Sequence, residues 1–290
     1  SIYTSFLSIN LLGLYTGLLL KDNNPYGLSD RDLSDGAKRT FAGATASVDF
    51  WNQKLYIFGL AQIDNGKEDE ILKSRYNSQY YGLGLEGVLG DLSYFAEFIA
   101  QQGKSYIYGS DEKSSIKAFA INSGLDYFLT LPLNPAISLQ YSFGSGDKYR
   151  NSVKSPTRPM GATGDDSGFI YFGTFSGGYA LKPYLSNIHV FKAGFSFTPL
   201  SWSDVFYLKK MSLGAKYLYY VKDKKEAPIA QGEANLPESF IGQGIDLSLR
   251  WQIFYDLSAY INYGLFMPGD AYNSTEGNRN FIMCGANLSF

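Results

Sequence analysis

The alternation in the last fifty residues limits what this chain can become more than any other feature. Ile241, Ile245, Leu247, Leu249, Trp251 and Ile253 take one parity, while Gly242, Gly244, Asp246, Ser248, Arg250 and Gln252 take the other. Tyr255-Asp256 makes a minimal turn, after which Leu257, Ala259, Ile261, Tyr263 and Leu265 repeat the apolar face. Beyond a polar stretch, Ile282, Cys284, Ala286, Leu288 and Phe290 share one face of a last strand, opposite Met283, Gly285, Asn287 and Ser289. Successive side chains of a strand point to opposite faces, so each segment is a ribbon with one oily and one polar side. Ribbons of about ten residues that close into a barrel set the oily side against lipid and the polar side around a lumen.

Composition favours that solution over a spanning helix. The chain carries 24 Tyr, 21 Phe and 31 Gly with only 18% charged residues, yet its mean hydropathy is slightly negative. Apolar residues are therefore dispersed. The richest run, Leu11–Leu20, is shorter than a spanning helix needs and contains Tyr15 and Thr16. Helices and closed barrels are the two structures that satisfy every backbone group inside lipid. The net charge of −2 gives no general attraction for nucleic acid. Cys284 has no second cysteine to pair with. Ser1–Lys21 lacks the basic amino end and cleavage site of a secretory signal, so the sequence is expected to begin after signal removal.

Twelve strands can be read in order: one within Phe6–Leu20, then Thr40–Phe50, Lys54–Ile63, Gln79–Leu89, Leu92–Gln102, Ile116–Phe128, Ala136–Gly146, Ile188–Thr198, Tyr207–Val221, Ile241–Phe254, Leu257–Met267 and Asn280–Phe290. The connections sort by length. Residues 51–53, 90–91, 129–135, 199–206 and 255–256 are short, and lie on the side of both termini. Residues 21–39, 64–78, 103–115, 147–187, 222–240 and 268–279 are long and polar, and lie on the other. Outer-membrane barrels have this asymmetry, with short periplasmic turns and long external loops. The expectation is an all-β, transmembrane, antiparallel up-and-down barrel of twelve strands, a single domain over 1–290 with periplasmic termini. Phe290 would end a twelfth strand that pairs with the first.

Parity also selects a lumen. Asp49, Glu86, Glu97 and Asp126 fall in phase with small polar residues on the second to sixth strands, and Lys192, Lys210, Lys216 and Arg250 do so on the eighth to tenth, with Asp246 as the exception in sign. An acidic wall would thus face a basic one. In the strand Lys54–Ile63 both faces are apolar, so its orientation stays open. A twelve-strand barrel has a backbone diameter of roughly 25 Å and a passage on the order of 10 Å. The loop 147–187 carries an apolar island, Phe169-Ile170-Tyr171-Phe172. It can fold inward as a constriction, extend as a hairpin or pack on the rim.

Several segments together resemble the alginate-export family of outer-membrane porins. They are Arg39–Gly43, Leu55–Leu60, Tyr81–Gly87 followed by Leu92–Glu97 and Gln101–Gly103, the strand end Gly144-Ser145-Gly146-Asp147, the strand start Leu185-Ser186-Asn187-Ile188, Gly242–Leu247, and Tyr263–Asp270. The resemblance implies an outer-membrane export or uptake channel. The family's polysaccharide exporter has more strands and an arginine-rich lumen, whereas here Arg250 and the edge residue Arg39 are the arginines at inward strand positions.

Chemistry offers little competition. His189 is the single histidine and falls out of phase with the lumen, with no partner serine indicated, so an interfacial role is expected. In Asp30–Gly36 glycine falls at the seventh position and Phe41 at the twelfth, against the calcium-loop pattern. No cofactor, metal site or catalysis is expected. The functional expectation is a channel for small polar or charged solutes, saccharides among them; the alternative is a structural or binding barrel, an adhesin or the anchor of an envelope complex. Expected partners are outer-membrane lipid and lipopolysaccharide, the barrel assembly machinery through Phe290, a small solute or glycan and an envelope protein, with no nucleic acid.

Overall fold

The computed structural model describes residues 2–3, 7–16, 39–64, 76–107, 110, 112–150, 157–170, 175–229 and 233–289. Twelve long strands form one meander: β1 (Leu7–Thr16), β2 (Arg39–Phe50), β3 (Gln53–Asp64), β4 (Asn77–Leu89), β5 (Leu92–Ile107), β6 (Lys113–Phe128), β7 (Ala136–Gly144), β8 (Ile188–Phe197), β9 (Met211–Val221), β10 (Phe240–Gln252), β11 (Leu257–Pro268) and β12 (Arg279–Leu288). Each pairs antiparallel with the next. Two further pieces join the sheet: Ile2–Tyr3 folds back onto β1, and Thr157–Arg158 pairs parallel with the upper end of β5.

The expected pairing of first and last strands is not formed among the described residues: the ladder ends at β12 on one side and at Ile2–Tyr3 on the other. Ile2 and Tyr3 take the edge of β1 at Ile9 and Ser8, where a closing strand would bond. Phe290 lies outside the described residues, as do Tyr171, Phe172 and the acidic stretch Asp30–Gly36.

Two further expectations need correction. Residues 103–115 are mostly strand, with Gly103 through Tyr106 paired to Ile116 through Lys113. The β5–β6 hairpin continues above the membrane because the inner face of its extension is covered; Ser105 and Ser114 are buried there. Phe206–Lys209 is a helical turn, α1, so β9 starts at Met211 instead of Tyr207.

The outer surface matches lipid. Phe98, Leu125, Leu139, Phe195, Leu247 and Ile261 are all exposed large apolar residues on outward positions. On β10 this band runs from Gln243 to Trp251, eight residue steps that at about 3.3 Å each and a tilt near ~40° give roughly 20 Å of height. Aromatic residues mark both borders. At the upper one the hydroxyls of Tyr81, Tyr217 and Tyr263 donate to Gln79, Gln243 and Asn280 at 2.8, 2.6 and 2.6 Å. At the lower one the Trp251 indole N–H donates to the Tyr207 carbonyl at 2.7 Å. Amphipathic rings favour such borders because one end is oily and the other wet.

The structure also orients β3. Leu55, Ile57 and Ile63 are exposed on the lipid side, and Lys54, Tyr56 and Phe58 point inward. The deciding contact is with β4: Tyr56 lies over Gly84 and Phe58 over Gly82, where a Cβ would stand 2.1 Å from either ring. Glycine on β4 leaves the space in which bulky residues of β3 can turn inward. Facing the lipid, the same two positions would have left that space empty.

Candidate functional site

The lumen is shaped by the segment between β7 and β8. It leaves β7 at Ser145, and its first part is held against the upper β5–β6 hairpin. Asp166 joins β6 beside Ile116, its N–H donating to Ser115 O and its carbonyl accepting from the Lys117 N–H, both at 2.8 Å. Its fully buried carboxylate pairs with Arg150; the Arg150 Nε–H donates to Oδ1 at 3.1 Å and the Ser105 hydroxyl donates to Oδ2 at 2.8 Å. Arg158 and Asp147 make a second buried pair at 3.0 Å. Burial alone would raise the Asp166 pKa, but the Arg150 charge and the hydrogen bonds from Arg150, Ser105 and the Gly168 N–H outweigh it and hold the carboxyl below its ordinary 3.8. Burial likewise opposes charge on Arg150, and Asp166 holds it above the ordinary guanidinium value.

From there the chain turns into the barrel. Phe169 is 1% exposed and packs edge-on against Tyr80 of β4, ring centroids 6.2 Å apart. The Ile170 N–H donates to Gln101 Oε1 at 2.9 Å, and its carbonyl accepts from the Tyr80 hydroxyl at 3.0 Å. Of the four residues of the apolar island, the two described ones thus lie inward, against β4 and β5. The segment then runs along the opposite wall. Ser176 O accepts from Lys192 of β8, Gly177 O accepts from the Tyr220 hydroxyl of β9 at 2.8 Å, and the Tyr179 N–H donates to the Asp246 carboxylate of β10 at 3.1 and 3.2 Å. Ala180 and Tyr179 sit so close to Gly264 of β11 that a Cβ there would stand 2.6 Å from Tyr179 Cβ. Lys182 reaches the Phe281 ring of β12 at 3.6 Å. One connection therefore touches the inner wall from β4 to β12.

Above it the external segments form a common apolar core with the strand ends, including Ile229, Ala234, Ala271 and Tyr272 beside Phe169, Leu185 and Val190. Asn187 ties this lid together. In the left-handed region at φ 53, its side-chain amide donates to the carbonyls of Lys224, Ala227 and Pro228 at 3.0–3.1 Å.

Below and beside the loop lie the charged positions expected from parity. Glu86 pairs with Lys54 at 3.1 Å. Glu97 accepts from the Tyr56 hydroxyl at 2.8 Å. Asp49 lies across from Lys54, and Asp126 between Ser93 and Ser138. On the other wall Lys192 donates to Gln140 Oε1 at 3.2 Å, and Asp246 stands across from Lys216. Asp246 and Arg250 share a face but do not meet, being four residues apart on one strand. Arg250 instead lines a hollow with Lys210, Ser212, Tyr260 and Asn262. Lys210 sits just before β9 rather than on it. Among the described residues, Lys210, Lys216 and Arg250 make no ion pair.

The groups that hold the constriction, the side chains of Gln101, Arg150, Arg158 and Asp166 and the backbone N–H of Tyr179, are not distinguishable by strand parity, since most lie in the long connection. Asp147 and Asn187, by contrast, end or begin segments that resemble the family pattern, and each proves to be a hub of loop contacts. His189 faces outward, its Nδ1 2.9 Å from the Tyr141 hydroxyl, in an aromatic patch with Phe143, whose ring centroid is 4.6 Å away.

The model of the alginate export family matches residues 41–283. The chain belongs to that family. No curated protein sequence matches it. Among solved structures, the crystal structure of Pseudomonas aeruginosa OccK11 (OpdR) is similar at 15% identity and a TM-score of 0.51, covering 99% of this chain and 68% of that one. The outer-membrane protein OprD from Pseudomonas aeruginosa is similar at 12% identity and a TM-score of 0.50, covering 98% of this chain and 65% of that one. The chain spans about two thirds of the length of these structures. At such identity the likeness is one of fold. Family, fold and aromatic borders together make this alginate export family member an outer-membrane β-barrel protein.

Proposed function

We propose that the chain forms the wall and constriction of an outer-membrane channel that passes small polar or charged solutes, saccharides among them, by diffusion or export. The observation that carries this reading is the inward path of the β7–β8 connection, anchored to strands on opposite sides of a polar lumen. It narrows the passage while leaving Asp49, Glu86, Glu97 and Asp126 on one wall and Lys192, Lys210, Lys216 and Arg250 on the other. Opposed walls of this kind impose a transverse field on a solute between them, which selects by charge and orients dipoles. An acidic glycan of the kind the family's name denotes would follow the basic wall. Lipid and lipopolysaccharide surround the outer band in this reading, and Phe290 is the element read by the assembly machinery. No catalytic step is part of it.

A second reading, a structural or binding barrel that engages an envelope partner, draws on the apolar core that caps the lumen. Planar-bilayer recording separates the two. A channel gives measurable conductance in the wild type and a larger one when Lys192→Met removes the anchor of the loop at Ser176. Lys216→Met with Arg250→Gln then moves the reversal potential toward cations, and Asp49→Asn with Asp126→Asn moves it toward anions. No conductance in the wild type and none in Lys192→Met would sink the channel and favour the binding barrel.

A further inference from the structure

Below the constriction, the wall formed by β1 to β4 is hollowed into a pocket of about 630 Å³. Its floor is aromatic. Tyr56 and Phe58 are pressed against Gly84 and Gly82, and Lys54 Nζ stands 5.7 Å from the Tyr56 ring centroid; both rings line the pocket. Tyr56 is further fixed by the hydrogen bond from its hydroxyl to Glu97. Phe58 carries no polar group and offers a plain ring. Around the rings stand hydroxyl groups from Ser8, Thr45 and Ser47. Lys54 is matched by Glu86 at 3.1 Å. Asp49, exposed at the rim, makes no ion pair among the described residues.

We propose that this pocket is a binding subsite for a neutral pyranose of one or two rings. The proposal rests on the channel reading above and names a solute class for one wall of it. A pyranose has an apolar face of C–H groups and a rim of hydroxyls. The C–H face is electropositive and suits the negative face of an aromatic ring. Rim hydroxyls donate to Asp49 and exchange hydrogen bonds with Thr45 and Ser47, which both donate and accept. The charge balance excludes an acidic sugar: Lys54 is occupied by Glu86, and Asp49 repels a carboxylate. The size is that of small-molecule sites, which run from about 300 to 1,000 Å³.

The test uses maltose as the probe, with glucuronate and arginine as charged comparisons, on the full chain. Blockade of the ionic current in planar bilayers is read first. Calorimetry on the folded protein in detergent is read beside it, so that binding is measured even if the channel does not conduct. Maltose binds the wild type in the millimolar range, and glucuronate does not compete. Phe58→Leu, which keeps an apolar side chain but removes the ring face, weakens maltose by about threefold to tenfold. Asp49→Asn weakens it less, and Lys216→Met on the far wall leaves it unchanged. Heat-modified mobility on gels shows that each variant is folded, and Tyr56→Leu, which likewise removes a ring face and should weaken maltose to a similar degree, serves as the second reporter should Phe58→Leu not fold. Equal maltose affinity in wild type and Phe58→Leu overturns the proposal. So does tighter binding of arginine that is lost in Asp49→Asn, which would assign the pocket to cations. Conductance without maltose binding leaves the channel reading intact and removes this one; maltose binding without conductance does the reverse.

Discussion

Asp166 shows how a single carboxylate can hold a passage narrow. Its charge is buried with Arg150, and losing one partner of such a pair strands the other at a cost of about 3–5 kcal/mol. Asp166→Asn should therefore free the first part of the loop and raise single-channel conductance. The pH dependence has a definite sign. Because the folded carboxyl lies below its ordinary 3.8, its stabilising contribution is complete above that value and is lost as pH falls through the lower folded one. Conductance should stay flat from neutrality down to about pH 4 and rise only in stronger acid. In Asp166→Asn that acid step should be absent; an unchanged step would mean that another group controls the loop. Gly84 gives a second residue-scale test. An alanine there would drive its Cβ to 2.1 Å from the Tyr56 ring, displacing the ring from Glu97 at a cost of about 1–3 kcal/mol, readable as a lower midpoint in heat-modified mobility.

At the scale of elements, the β7–β8 connection behaves as part of the core. Phe169, Leu181 and Leu185 are buried in the same cluster as Ile188, Leu218 and Phe266 of the strands. Phe169→Ala should create a cavity costing about 3–5 kcal/mol. The expected result is faster protease cleavage within 151–187 and larger conductance, with the strands still protected from hydrogen exchange. Loss of strand protection instead would show that the loop and barrel unfold together. Strand length follows the same logic. The β5–β6 hairpin rises above its neighbours because Thr157–Arg158 and Asp166 pair with its edges and the Arg158 and Asp166 side chains bond Ser114 and Ser105 on its inner face, whereas β7 ends at Gly144, where a Cβ would meet the Leu185 carbonyl at 2.4 Å.

The whole molecule is an inside-out arrangement in which apolar residues face outward and the polar groups face the lumen. Lipid replaces a second protein layer, so a charge placed on the outer band should be costly. Leu247→Arg, near the middle of the band on β10, should cost about 2–4 kcal/mol of stability, measured by folding into lipid vesicles across urea. A change near zero would place Leu247 away from the hydrocarbon. The two charged walls are also a property of the whole barrel: Asp49, Glu86, Glu97 and Asp126 lie on β2–β6 and Lys192, Lys216 and Arg250 on β8–β10, where Asp246 is the exception in sign, and the walls exist only because the meander turns one group of strands to face the other.

Most of the strand architecture was legible in the chain because a period of two is local: each residue's face follows from its neighbours' faces, and Asp246, Ser248 and Arg250 declare theirs without reference to any other strand. The loop lengths are equally local. The orientation of β3 was not, since both of its faces are apolar and the choice depended on glycines across the ladder at Gly82 and Gly84. Nor was the path of Phe169-Ile170. An apolar island in a polar connection has to leave water, but which surface receives it is set by Tyr80 and Gln101, which lie about 70 to 90 residues earlier in the chain. Outside β3, sequence alone determined what faces lipid and what faces the lumen. Tertiary structure decided how much of that lumen stays open, because closing it depends on contacts between groups that no local pattern connects.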